Sequence, residues 1–209
     1  MHNESNTLGN LAIFRRIVAA SVLLATALLA ACSSVYVDTQ TKQVPVAQMK
    51  KVADPKPVQL VFEFQTKGAP NARATDRLSS VVSKEVKDSG LFSTVSSNPQ
   101  PNAGMLSVTL NNVPITEDAA SKGFVTGLTF GLAGNTVTDG YICTVRYLAP
   151  NRTTPIVKTA RHAIHTTVGN TSAPPNAQKS PSAVDAVNQM TLDVLSNALD
   201  DLSRDPAFE

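Results

Sequence analysis

An uncharged apolar run near the N-terminus decides which residues are available to build the fold. Arg15 and Arg16 precede this run, which extends from Ile17 to Ala31. Two basic residues before a short apolar run are typical of a secretory signal peptide. The run is about 15 residues long, shorter than the roughly 20 residues that a transmembrane helix needs. We therefore predict that residues 1–31 are a cleaved signal peptide and that the fold is built from the residues after them.

The end of the apolar run resembles the lipobox of bacterial lipoproteins. Its four residues are Leu29, Ala30, Ala31 and Cys32. The resemblance implies that Cys32 becomes the first mature residue and carries a diacylglycerol on its sulfur and an N-acyl chain such as palmitate. Because two or three acyl chains bind a bilayer lastingly, the protein would stay on its membrane. The alternative is an ordinary signal peptide that is cut after an alanine.

Two serines follow Cys32, at the place where an aspartate often retains lipoproteins of this kind in the inner membrane. The resemblance therefore implies anchoring to the outer membrane of a Gram-negative bacterium, most simply on its periplasmic face. A formal net charge of only +2, without a dense basic stripe, argues against nucleic acid as a partner. We expect the partners to be the lipid bilayer and another envelope protein, and a homo-oligomer stays open.

Composition and apolar periodicity divide the mature chain into a tether and one domain. Residues 32–56 are polar and contain prolines, which predicts a lipidated N-terminus on a flexible tether, although a short edge strand can form there. Residues 57–205 predict a periplasmic α+β domain, with a mixed or antiparallel sheet of four to five strands and two helices packed on one face. The predicted strands are 58–65, 91–97, 105–113, 140–148 and 155–168, and the predicted helices are 72–90 and 180–205.

The order of these elements is similar to that of several envelope lipoprotein families, including the periplasmic domain of the curli-secretion pore family. This likeness of layout covers residues 57–203. A second resemblance lies in GLTFGLAGNTVTDGY, which begins at residue 127. It is similar to a GLTLGL segment followed by an aromatic-led strand in small, uncharacterised outer-membrane lipoproteins. The matching stretch is short and implies no activity.

The sequence shows no catalytic or metal-binding pattern. It contains no nucleophile elbow, phosphate loop, dinucleotide glycine fingerprint or zinc spacing. His162 and His165 are three residues apart on a predicted strand, so they point to opposite faces and cannot share a metal ion without a bulge. Glu117 and Asp118 are typical of the first turn of a helix. Cys143 fits a buried strand position. We predict no catalytic residue, no metal and no cofactor beyond the acyl chains.

The stretch GFVTGLTFGLAG, residues 123–134, is the candidate interaction or membrane segment. As a helix it aligns its glycines on one face, and as a strand it alternates large apolar residues, so its period does not decide. Twelve helical residues rise about 18 Å, well short of a hydrocarbon core of about 30 Å. We favour a loop or short helix that covers the sheet or forms a contact face. The candidate residues are Gly123, Phe124, Gly127, Leu128, Phe130 and Gly131.

Together these observations predict a lipid-anchored outer-membrane lipoprotein that binds or scaffolds another component of the cell envelope without catalysis. The alternative is a subunit of an oligomeric secretion or transport assembly that inserts residues 123–138 into the membrane. A cell-wall hydrolase is a third class, and it would need a pocket of convergent polar side chains that the sequence does not reveal.

Overall fold

A computed structural model of the chain describes residues 33–115, 136–169 and 171–208. Its strands are β1 (Ser33–Asp38), β2 (Val58–Thr66), β3 (Ala69–Pro70), β4 (Val95–Ser96), β5 (Gly104–Pro114), β6 (Thr136–Leu148), β7 (Ile156–Val168) and β8 (Ala177–Lys179). Its helices are α1 (Ala72–Asp88) and α2 (Ala183–Ser203), and a 3-10 turn spans Val46–Gln48. None of the helices in these residues is long and apolar enough to span a membrane.

The described strands form one mixed sheet in the order β3-β2-β5-β6-β7-β1-β8, with β4 beside β2. β2 and β5 run parallel, which requires a crossover connection, and α1 lies in that connection. β5, β6 and β7 are antiparallel neighbours. The connection from β6 to β7 contains Asn151 at φ +63°, a left-handed conformation that asparagine adopts more readily than most residues. β1 pairs antiparallel with β7, so the first described strand lies beside the last long one.

Both helices pack on one face of the sheet, as the sequence predicts. α1 follows Asn71, whose side chain accepts a hydrogen bond from the Ala74 N–H at 3.1 Å. α2 follows Ser182, whose hydroxyl accepts from the Asp185 N–H at 3.1 Å. α1 packs against β2, and α2 packs against β6 and β7. The apolar positions that recur at helical spacing are buried in one core. They are Leu78, Val82 and Val86 of α1 and Met190, Val194, Leu195, Ala198, Leu199 and Leu202 of α2.

The sheet has more strands than the four to five that the sequence predicts. β2, β4, β5, β6 and β7 correspond to the predicted segments, and β1, β3 and β8 are additional. β3 has two residues and β8 has three, too few to show an alternation of apolar and polar residues. The predicted number of strands is therefore wrong, because pairing with a neighbour rather than local pattern creates these three strands.

Residues 33–56, which the sequence places in a flexible tether, lie against the domain in the structure. β1 takes up the first six of them, and Val37 is buried in the core. Farther along, the Val44 N–H donates to Ser196 Oγ at 2.9 Å, and the Lys50 N–H donates to Ser203 Oγ at 3.1 Å. Part of the backbone hydrogen bonding of this segment therefore goes to side chains of α2, which apolar periodicity does not reveal.

The end of the sheet where β6 stops and β7 starts is closed by aromatic rings. Phe92, Tyr147 and Phe208 place their ring centroids 5.0 to 5.8 Å apart. Phe208 lies beyond residue 205, the predicted limit of the domain, and it is buried. The Lys158 Nζ atom lies 2.7 Å from a carboxylate oxygen of Asp205 beside the cluster. We call this region the Phe208 end.

Candidate functional site

The end of the sheet where β1 begins is the candidate site, because the predicted lipidated residue Cys32 directly precedes β1. Ser33 pairs with Val168 of β7, and Thr136 of β6 pairs with Thr167. The start of β1, the start of β6 and the end of β7 therefore lie side by side. We define the Ser33 end as residues 33–37, 136–138 and 164–168.

The Ser33 end contains no Asp, Glu, Lys or Arg. On the helix side of the sheet it presents two exposed valines, Val137 at 60% and Val168 at 51% exposure. Val137 lies opposite Thr166, which is two residues from Val168, so the two valines point to the same side. Val35 lies opposite Thr166 on the other flank and is half-buried. These residues form an uncharged strip with an apolar surface.

Residues 116–135 connect β5 to β6, and both attachment points lie next to the Ser33 end. Pro114 pairs with Asp139 at the end of β5. One residue later, the Ile115 N–H donates to the Thr138 carbonyl at 3.2 Å. The chain therefore leaves and re-enters the sheet close to the strand that follows Cys32.

Most of the predicted site residues lie outside the part of the chain that the structure describes. These are Cys32, the lipobox residues Leu29, Ala30 and Ala31, the pair Glu117 and Asp118, and the segment 123–134 with Gly123, Phe124, Gly127, Leu128, Phe130 and Gly131. Of the alternative membrane segment 123–138, residues 136–138 belong to β6 and pair with residues 165–167.

His165 lies at the Ser33 end on the face opposite the helices, and it is fully buried. Its Nδ1 is 2.9 Å from Thr138 Oγ1, and its Nε2 is 3.7 Å from Asp38 Oδ2. Asp38 is buried too, and its Oδ1 accepts a hydrogen bond from the Gln40 N–H at 2.8 Å. At 3.7 Å this approach is too long for a hydrogen bond, and neither Asp38 Oδ2 nor His165 Nε2 has a hydrogen-bond partner in the described residues. This contact joins β1 to β7 from within the protein.

His162 lies on the helix side of the sheet, so the two histidines point to opposite faces as predicted. The Ala163 N–H donates to His162 Nδ1 at 2.8 Å, so the proton sits on Nε2. Nε2 then donates to Asp193 Oδ2 of α2 at 3.1 Å. Gln189 Nε2 donates to the other Asp193 oxygen at 2.7 Å. Both ring nitrogens of His162 are engaged within the protein, which leaves neither one open to a substrate.

A pocket of about 430 Å³ opens between β1, β8 and the start of α2. Asp38 and Asp193 line it, and so do Lys42 and Lys179, so its charges are mixed. Within the described ranges, no three His, Cys, Asp or Glu side chains are placed to hold a metal ion together. Asp38 escapes prediction because it lies in the predicted tether. Asp193 escapes prediction because a single acid on a helix carries no local sign of burial.

Burial changes the chemistry of two further groups. Cys143 is 1% exposed, and burial raises the pKa of its thiol to about 12, so the reactive thiolate does not form at neutral pH. Burial also raises the pKa of the Glu85 carboxyl on α1, and a hydrogen bond from Gln43 Nε2 at 3.2 Å partly opposes that rise. Neither the Cys143 thiol nor the Glu85 carboxyl belongs to the Ser33 end.

No protein-family model matches the chain, and no curated protein matches it in sequence. Solved structures that resemble it include two of PelC. One is the dodecamer of a PelC point variant from Paraburkholderia phytofirmans, with 15% identity and a TM-score of 0.37, covering 83% of this chain and 99% of that chain. The other is the PelC dodecamer from the same organism in a second crystal form, with 12% identity and a TM-score of 0.34, covering 80% and 96%.

Proposed function

We propose that the chain is a lipid-anchored outer-membrane lipoprotein that acts as a non-catalytic binding or scaffolding component of the cell envelope. The observation that carries the proposal is Leu29-Ala30-Ala31-Cys32 at the end of an apolar run that follows two arginines. The anchor is a diacylglycerol and an N-acyl chain on Cys32, and the domain faces the periplasm. Several acyl chains together hold a protein on a bilayer lastingly.

The place of β1 in the sheet supports a scaffolding role. Cys32 is one residue before Ser33, and adjacent Cα atoms are about 3.8 Å apart. Ser33 is already paired with Val168. The acyl anchor would therefore be attached to the sheet itself rather than to a mobile tether. A domain held in this way can present a partner-binding surface at a fixed distance from its membrane.

The state of the described reactive groups supports a non-catalytic role. Both nitrogens of His162 are engaged by the backbone and by Asp193. The Cys143 thiol is buried, and its raised pKa keeps it protonated. His165 is fully buried between Thr138 and Asp38. A general base or nucleophile has to reach its substrate, and these groups are turned inward.

Replacing Cys32 with serine tests the anchor. We expect Cys32→Ser to move the protein from the outer-membrane fraction to the soluble periplasm or to stop its maturation, whereas the matched variant Cys143→Ser stays on the membrane. Crosslinking of the anchored protein in cells should then capture another envelope protein. A Cys32→Ser variant that matures and stays with the outer membrane after a high-salt wash would contradict the proposal.

The alternative function is that of a subunit in an oligomeric secretion or transport assembly that inserts residues 123–138. The observation that favours it is that both attachment points of residues 116–135 lie next to the Ser33 end. A bilayer conductance that requires the wild-type segment and is lost in a Gly127→Leu, Gly131→Leu double variant would support it. A protein that is monomeric in detergent and gives no conductance would exclude this alternative function.

A further inference from the structure

We propose that the Ser33 end of the sheet rests on the surface of the bilayer that holds the anchor, with the strands running away from the membrane and the Phe208 end farthest from it. This inference rests on the proposed acyl anchor at Cys32. It adds an orientation and an interaction surface, neither of which the lipobox itself defines.

No flexible linker separates the proposed anchor residue from the sheet. One peptide bond joins Cys32 to Ser33, which spans about 3.8 Å between Cα atoms. Ser33 and its partner Val168 form the outermost pair of the β1–β7 ladder. Acyl chains on Cys32 therefore bring the bilayer surface next to Val168. A flexible tether would remove this constraint, but the residues after Cys32 are paired from the first one onward.

The chemistry of the Ser33 end suits contact with lipid headgroups. It has no Asp, Glu, Lys or Arg, so it can approach the headgroup layer without desolvating a charge on those side chains. Val137 and Val168 point to the same side and expose more than half of their surface. Apolar side chains at such a position enter the boundary between headgroups and acyl chains. The surface is small, which suits a contact that orients the domain while the acyl chains supply the affinity.

The position of Cys32 favours the bilayer over a second copy of the chain as the occupant of this surface. Cys32 directly precedes Ser33 in the sequence, and Ser33 pairs with Val168. Once acyl chains on Cys32 are inserted, the membrane already lies against this end, and another protein would have to displace it. Val157 is also exposed on β7, at 45%, but it lies near the Phe208 end and far from the anchor.

Fluorescent labels on single introduced cysteines test the orientation in the full-length lipoprotein. Val137→Cys and Val168→Cys place a probe at the Ser33 end, and Val157→Cys is the matched control about 35 Å farther along the sheet. Cys143 is buried and Cys32 would carry lipid on its sulfur, so neither takes the label. The labelled protein is reconstituted into vesicles of phosphatidylethanolamine and phosphatidylglycerol, with or without a lipid that bears a nitroxide in its headgroup.

We expect the nitroxide lipid to quench the probes at positions 137 and 168 several-fold more than the probe at position 157. Adding Val137→Asp should lower the quenching of the probe at position 168, whereas Val157→Asp should leave it unchanged. Equal quenching at all three positions would overturn the orientation. Probes at 137 and 168 that are shielded from water but insensitive to the nitroxide lipid would also overturn it, because protein rather than lipid would then cover this end.

Failure of the anchor gives a different result from failure of the orientation. If Cys32 carries no acyl chain, the mass of the protein lacks the lipid and the protein does not float with vesicles, which overturns the proposed function and the inference with it. If the protein is acylated and floats but the three probes respond alike, the anchor stands and only the docking of the Ser33 end is overturned.

Discussion

At the Ser33 end of the sheet the strands finish in serines, threonines and exposed valines, whereas at the Phe208 end they finish under a cluster of three aromatic rings and a charge pair. β6 has 13 residues, so the two ends are separated by about 40 Å. The Phe208 end has the features of a region that holds the fold together. The Ser33 end leaves apolar surface uncovered, which is the property of a region that makes an external contact.

The difference shows how the proposed anchor at one end of the sheet would give the domain a fixed orientation on its membrane. Aromatic packing at the Phe208 end contributes to the stability of the fold, so the Ser33 end can make an external contact instead. The first strand begins at the uncharged end, directly after Cys32, the proposed anchor. If the two ends have these separate roles, substitutions at them should divide into those that lower stability and those that alter membrane contact.

The largest effect is expected inside β1, the part of the Ser33 end that the sequence assigns to a tether. Val37→Asp puts a charge into the core, where Val37 is 7% exposed, and should cost about 4 kcal/mol of unfolding free energy. Val46→Asp is the matched control, because Val46 lies in the same predicted tether but is 46% exposed. Urea unfolding of both variants measures the difference. Equal and negligible effects would mean that this segment is a tether after all.

A somewhat smaller effect is expected at the Phe208 end. Phe208→Ala removes a ring that packs edge-on against Phe92 and Tyr147 and should cost about 3 kcal/mol. Val137→Ala at the Ser33 end should change stability by less than about 0.5 kcal/mol, because surface positions contribute little to folding. Thermal unfolding of the two variants compares the ends directly. A larger loss for Val137→Ala would reverse the assignment of roles.

The buried pair on the helix side gives the next effect. Asp193→Ala leaves the Nε2–H of His162 and an N–H of Gln189 without their acceptor and should cost about 2 kcal/mol. Asp201→Ala, on the exposed side of the same helix, is the control and should be close to neutral. Chemical denaturation reports both values. A neutral Asp193→Ala would show that the His162 contact adds nothing to the packing of α2 on the sheet.

The smallest effect concerns the pH dependence of stability in the helix layer. Burial raises the pKa of Glu85 above its ordinary value of 4.5, so the folded state binds this proton more tightly than the unfolded state does. Stability from this group is therefore full below the ordinary pKa and falls as pH rises through the raised one. Glu85→Gln, which cannot ionise, should raise the melting temperature at neutral pH and change it less at about pH 4. The same change at both pH values would contradict the burial of that charge.

Periodicity predicts the long elements of this fold well. Alternation in VQLVFEFQ and MLSVTLNNV predicts β2 and β5, and the helical spacing of apolar residues predicts α1 and α2. The short strands β3 and β8 escape prediction because two or three residues carry no period. The sequence allows β1 only as a short edge strand within the tether, and its place between β7 and β8 depends on pairing with distant segments.

The candidate site is predictable only in part. The resemblance to a lipobox is local, so the proposed lipidation of Cys32 rests on the sequence alone. That Ser33, Val137 and Val168 meet at one end depends on strand register, which is set by contacts between distant segments. The contacts of Asp38 with His165 and of Asp193 with His162 escape prediction for the same reason, since each joins residues from separate elements.

The mass of the mature N-terminal peptide, taken from protein extracted from membranes, decides whether the anchor exists. We predict a peptide that begins at Cys32 and carries a diacylglycerol on sulfur and an acyl chain on the amine. The Cys32→Ser variant should give no acylated N-terminal peptide. A wild-type peptide that begins elsewhere, or that begins at Cys32 with a free thiol and a free amine, would contradict the anchor and the orientation built on it.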